Sequence, residues 1–168
     1  RRPTVAGGVD ALVMWDRARP GELFLQSLIV RAGAWPVSPN RPTVGTARTL
    51  HSVAYGSLSK ARLAQSALTD NTTGVFVSTW RATWTRFWTT PAPGDYDVET
   101  ASFSTWLNDP SSAFTWMQPP TAVPGGDGVG VNEFASSIAV IAPAATPGSS
   151  ARYLLAVNKG GSQVPGRV

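Results

Sequence analysis

With 168 residues and no Cys, the chain is the size of one domain, able to bury roughly 70% of the surface its unfolded form exposes without a disulfide or a thiolate metal site. Charged residues make up only 14%, against 16 Gly and 14 Pro, where a soluble domain typically carries about 25% charge; this argues against long helices and for short strands joined by turns. The formal charge of +4 is no nucleic-acid footprint, because the Arg and Lys residues are spread from Arg1 to Arg167 and never cluster as phosphate binding requires.

In chain order, no apolar stretch approaches the ~20 residues of a membrane-spanning helix, and the N-terminus carries no signal-peptide pattern. Arg1 as the first residue is expected of a domain cut from a longer chain. Ala11–Trp15 and Leu23–Val30 are apolar runs flanked by Gly and Pro, and both read as strands. Across residues 34–45, Pro36, Pro39 and Pro42 fix φ and remove ladder donors, which predicts a loop. Thr46–Leu58 alternates in part and fits a strand pair. Lys60–Leu68 (KARLAQSAL) is the best helical candidate, too short to stand without packing, and equally compatible with strand and turn.

Val75–Trp88 alternates strictly, with Phe76, Ser78, Trp80, Ala82, Trp84, Arg86 and Trp88 on one face. The Trp spacing of four is also helical, but the Val, Thr, Phe and Trp content favours a strand. Pro91–Asp97 is predicted as an acidic loop, Ala101–Leu107 as an alternating segment, Ala113–Met117 as an apolar patch and Pro119–Gly130 as an exposed loop. Ser137–Ala142 and Tyr153–Val157 read as core strands. Residues 158–168 are too polar and Gly-rich to fold alone, so 1–157 is the expected domain and the remainder a flexible tail. The fold class is therefore all-β, a twisted antiparallel barrel or sandwich.

Catalytic chemistry finds little to work with. His51 is the lone imidazole, there is no Gly-x-Ser-x-Gly elbow, and no phosphate or dinucleotide loop is present, so the expectation is a binding protein with no cofactor and no metal. Asp95, Asp97 and Glu99 alternate within one predicted loop, and solvated charges are the simpler reading than a Ca²⁺ site. Seven Trp leave two roles open for Trp80, Trp84 and Trp88: core filling, or a flat contact patch for sugar, protein or a twin subunit.

A series of landmarks points further. Thr46–Leu50 (TARTL), Val75-Phe76-Val77 with Arg81 four residues on, Phe87-Trp88, Gly94 and Tyr96, Ala101-Ser102, the Gly-rich Gly126–Gly130 and Ser137–Pro143 (SIAVIAP) occur in order over about 100 residues. In that order and spacing the chain resembles the protruding domain of hepatitis E-like virus capsid proteins. The first 45 residues match loosely, through Val9–Trp15, and a divergent, avian-type lineage fits better than a mammalian one.

The resemblance implies a twisted antiparallel β-barrel that homodimerises, projects as a spike from the virion surface, and carries host-attachment surface and neutralising epitopes. The dimer strand falls on Ser137, Ile138, Ala139, Val140, Ile141 and Ala142, where alternation gives one core face and a second apolar face that calls for a partner. The receptor- and antibody-facing loops fall on Gly94, Asp95, Tyr96, Asp97 and Glu99, and on Gly126, Asp127 and Asn132. Asp97-Val98-Glu99 replaces the glycosylation sequon that the mammalian pattern carries there; Asn71-Thr72-Thr73 is a sequon elsewhere. The implied partners are a second copy, a host receptor or glycan, and antibodies, with neither nucleic acid nor membrane contacted. The alternative is a secreted carbohydrate-binding sandwich with Trp80, Trp84 or Trp88 as the sugar platform.

Overall fold

The computed structural model describes residues 3–7, 10–17, 21–29, 43–44, 46–70, 76–89, 94–106, 114–124, 131–142 and 152–160. All the regular structure among them is β: β1 (Thr4–Gly7), β2 (Asp10–Asp16), β3 (Glu22–Ile29), β4 (Thr43–Val44), β5 (Arg48–Ser52), β6 (Ser57–Asp70), β7 (Phe76–Trp88), β8 (Asp95–Trp106), β9 (Thr115–Ala122), β10 (Asn132–Ala142) and β11 (Arg152–Gly160). The first sheet runs β1-β2-β3-β4 with β5 also on β3, the second runs β6-β7-β8-β9, and β10-β11 form a ribbon; every pairing is antiparallel. The sheets stack as a sandwich and do not close, so the barrel half of the expectation is corrected.

The main core lies between the first and second sheets. Period-2 alternation buries Leu12 and Met14 of β2 and Leu23 and Leu25 of β3. They meet Leu58, Ala61, Leu63, Trp80, Ala82, Trp84, Ala101 and Phe103 of the second sheet. The opposite face of β7 is also buried, at Thr83 and Thr85, because β10 packs across β6, β7 and β8. The Ala135 N–H donates to Thr85 Oγ1 at 2.9 Å, and the Tyr96 and Phe134 rings meet at 5.0 Å between centroids. A sheet covered on both faces has no solvent side, which is why a central strand so rich in aromatic and Thr side chains is stable there.

Several elements depart from the sequence reading, each for a local reason. Lys60–Leu68 is neither helix nor turn but part of β6. Bulges between Ser59 and Arg62 and between Gln65 and Ala67 each insert a residue, so buried positions at Leu58, Ala61 and Ala64 fall three apart and mimic a helical period. Lys60, inside the first bulge, has φ of 52°. Pro119 and Pro120 lie within β9 and not in a loop; β9 is the sheet's edge, and its register skips from Thr121 to Gln118, the setting in which a strand tolerates Pro. Thr43–Val44 forms a short strand inside the segment expected to be loop, and the rest of 34–42 lies outside the described residues. β11 continues through Asn158, Lys159 and Gly160, beyond the expected domain limit of 157; residues 161–168 lie outside the described residues.

The turn between β5 and β6 depends on Gly56, which has φ of +90° and whose added Cβ would sit 1.8 Å from the Phe87 carbonyl oxygen. Gly56→Ala is expected to cost about 2 kcal/mol or more, measured as a lower urea midpoint at unchanged m-value, since the left-handed backbone and the clash with main chain act together.

Candidate binding surface

The Trp series of β7 divides by depth. Trp80 and Trp84 are fully buried, and each indole N–H is satisfied, Trp80 Nε1 donating to Thr105 Oγ1 at 2.8 Å and Trp84 Nε1 to Glu99 Oε2 at 2.7 Å. Phe103 pairs opposite Trp80 and is met edge-on by Phe114 and Trp116. These two Trp are core, and neither can serve as a sugar platform. Trp88, at the end of the strand, is half-buried, with Arg86 Cζ 3.3 Å above its ring centroid.

Glu99 overturns the solvated-loop expectation. It lies in β8, directly opposite Trp84 in the register, and is 6% exposed. Arg86 Nη1 donates to Oε1 at 2.9 Å, Trp84 Nε1 to Oε2, and His51 Nε2 of the other sheet stands 3.6 Å from Oε2. The His51 contact is longer than a hydrogen bond, and its ring packs against Trp84 at 5.3 Å between centroids. Burial alone would raise the Glu99 pKa, but the interactions with His51, Arg86 and Trp84, together with the Arg86 charge, outweigh it and hold the carboxyl below the ordinary glutamate range. A β5 bulge makes this possible: Leu23 pairs with His51 and Phe24 with Thr49, so Leu50 is the extra residue, and both Leu50 and His51 turn inward. No pattern of residue types announces such a bulge, and the cluster was not legible in advance beyond the lone His51.

The predicted apical loops are mostly something else. Asp95, Tyr96, Asp97 and Glu99 all belong to β8. Tyr96 packs between Phe87 and Phe134 at 4.6 and 5.0 Å, and only Gly94, just before the strand, is exposed. Gly94 is small of necessity, because an added Cβ would meet the Phe87 ring at 2.4 Å. Asn132 opens β10 and is half-buried, not a loop residue. Gly126, Asp127 and the sequon at Asn71 lie outside the described residues. Among the described residues no group of His, Asp and Glu is placed to hold a metal ion.

The ribbon keeps the sidedness read from its alternation. Ile138 and Val140 of β10, with Tyr153, Leu155 and Val157 of β11, are half-buried, whereas Ser137, Ala139 and Ile141 are exposed with Leu154 and Ala156. Ser137 pairs with Ala156 and Ala139 with Leu154, and a bulge at Ile141 ends the run. Ile141 and Leu154 are 63% and 62% exposed. The side chain of Ala142 lies outside the described residues. At the far end, buried Glu133 is paired with Lys159 directly across the ribbon, Nζ to Oε1 2.8 Å. No protein-family model, curated protein or solved structure matches this chain. The outer ribbon face carries an apolar strip of small and branched side chains at Ala139, Ile141, Leu154 and Ala156, bordered by Ser137 and the exposed Arg152.

Proposed function

We propose that this domain is the protruding spike element of a hepatitis E-like capsid, homodimerising through the outer face of β10-β11 and attaching the virion to a host-cell surface, where antibodies also meet it. The observation that carries the reading is the second apolar face at Ser137, Ala139, Ile141, Leu154 and Ala156. It coincides with the strand on which the capsid resemblance puts the dimer contact. A two-stranded ribbon is marginal on its own; the body of the domain covers its inner face and leaves the outer one open to a partner. Its work is recognition, not turnover: the lone imidazole packs beside a carboxylate already held by Arg86 and Trp84.

A stable dimer needs at least ~1,000 Å² of buried surface, so the chain is expected to be dimeric by light scattering at micromolar concentration. Ile141→Glu combined with Leu154→Glu is expected to give a folded monomer, because both side chains already face outward. Ile138→Glu is the wrong probe, since Ile138 faces inward and its loss would disturb the fold. A monomeric parent chain, or a double variant that stays dimeric, would sink the reading.

A further inference from the structure

Arg81 sits in the middle of β7, half-buried on the face that the ribbon covers. Three neighbouring strands fix its guanidinium. Nε donates to Thr100 Oγ1 of β8 at 2.9 Å, Nη1 donates to Gln118 Oε1 of β9, and Cζ lies 5.6 Å from the ring centroid of Tyr153 on β11. Arg17, Arg86 and Lys159 each have a carboxylate partner, in Glu22, Glu99 and Glu133. Arg81 has no ion pair with any carboxylate of the described residues. Burial accordingly lowers its pKa, with Tyr153 opposing, though a guanidinium stays charged throughout the useful pH range.

A guanidinium carries five N–H donors, and the two bonds above leave the Nη2 pair and one Nη1 hydrogen without an acceptor among the described residues. A cation held in a set orientation and left short of an acceptor is built to receive a planar anion in bidentate fashion. The surroundings narrow the anion. Ser102 lies opposite Arg81 in the register, on the same face, and is half-buried. Gln118 Nε2 donates to Thr121 Oγ1 at 3.4 Å, with Thr121 exposed. Uncharged hydroxyl and amide groups beside an aromatic ring suit the hydroxyls and the apolar face of a pyranose. Arg62, on the same face two register positions along, directs Nη1 to the Ala61 carbonyl.

We propose that Arg81 anchors a binding site for a carboxylate-bearing pyranose, with Tyr153 flanking the sugar and Gln118, Ser102 and Thr121 meeting its hydroxyls. The inference deepens the attachment half of the proposed function and rests on it, but not on dimerisation.

The test titrates the methyl glycosides of N-acetylneuraminic acid and of glucuronic acid into the full chain at low salt, with methyl glucoside and a triglutamate peptide as controls, followed by NMR of the Arg Nε–H and the β7, β8 and β11 amides. At least one acidic glycoside is expected to saturate with a millimolar dissociation constant, shifting Arg81 and Tyr153, while both controls bind at least about tenfold more weakly, one decade of affinity being about 1.4 kcal/mol. Arg81→Lys, which keeps the charge and loses the fork, is expected to weaken binding about tenfold or more. Arg81→Gln is expected to abolish it with an unchanged or higher Tm, since a charge without an ionic partner is removed; a purely structural arginine would lower Tm. Absence of binding by both acidic glycosides, equal binding of either control, or full binding by Arg81→Lys each overturns the site. A dimer that binds no glycoside retires this inference alone, and a monomer that binds retires the dimer alone.

Discussion

Replacing Glu99 with Ala is expected to destabilise the domain by about 3–5 kcal/mol, read as a fall in the urea midpoint. The loss arises less from the contacts removed than from what they leave behind: Arg86 keeps its charge at 18% side-chain exposure, and the Trp84 indole N–H loses its acceptor inside the core. Glu99→Gln is expected to cost less, because an amide oxygen still accepts from Trp84. Combining Glu99→Leu with Arg86→Met is expected to recover the part of the loss due to the stranded Arg86 charge, as replacing a buried pair by apolar groups often does, while the Trp84 N–H still lacks its acceptor. Additive losses in that double variant would show that Glu99 and Arg86 do not act as a unit.

The same carboxyl sets an acid limit. Its folded pKa lies below the unfolded value, which for glutamate is about 4.3. Ionised Glu99 therefore contributes its stability in full above that pH, and the contribution is lost as pH falls through the lower folded pKa. Denaturant midpoints of the parent chain are expected to decline below the glutamate range, and Glu99→Gln to flatten that part of the curve. An identical acid profile in both proteins would remove Glu99 as the group responsible.

Where alternation was unbroken, the sequence was readable. β2, β3 and β7 lie within a residue or two of their apolar runs, and the sidedness of Ser137–Ile141 follows from period two alone. Where a bulge intervened, it was not. The insertions in β6 turned a strand into an apparent helix, and the one in β5 brought His51 inward toward Glu99. The register skips in β9 let Pro119 and Pro120 stay in a strand and left Met117 62% exposed between inward-facing Trp116 and Gln118. A bulge depends on how two distant segments align, which no local window of residues contains. Asp95–Glu99 failed for a related reason: acidic side chains after a Pro/Gly turn look solvated until the opposing strand supplies Arg86 and Trp84. The resemblance also implied a closed barrel, which the stacked sheets do not form, and loop positions at Asp95–Glu99 and Asn132, which belong to β8 and β10.

Trp80→Ala is expected to be as severe as the Glu99 change, about 3–5 kcal/mol, because a fully buried indole leaves both a cavity and an unpaired Thr105 hydroxyl in its place. Trp88→Ala is expected to cost no more than about 1–2 kcal/mol. Trp88 is half-buried at the strand end, its Nε1 has no hydrogen-bond partner among the described residues, and its main contact is with the Arg86 guanidinium. Urea titration of the two variants beside the parent gives the ordering directly. It also separates the two roles that seven Trp leave open. If β7 were a sugar platform, Trp80→Ala would leave the midpoint nearly unchanged and remove only binding; if it is the central strand of a packed sandwich, the midpoint falls steeply and Trp88→Ala is the milder change. Depth within the strand, set by Ala101 and Phe103 on one neighbour and Leu63 on the other, decides between a Trp that holds the fold together and a Trp at its margin.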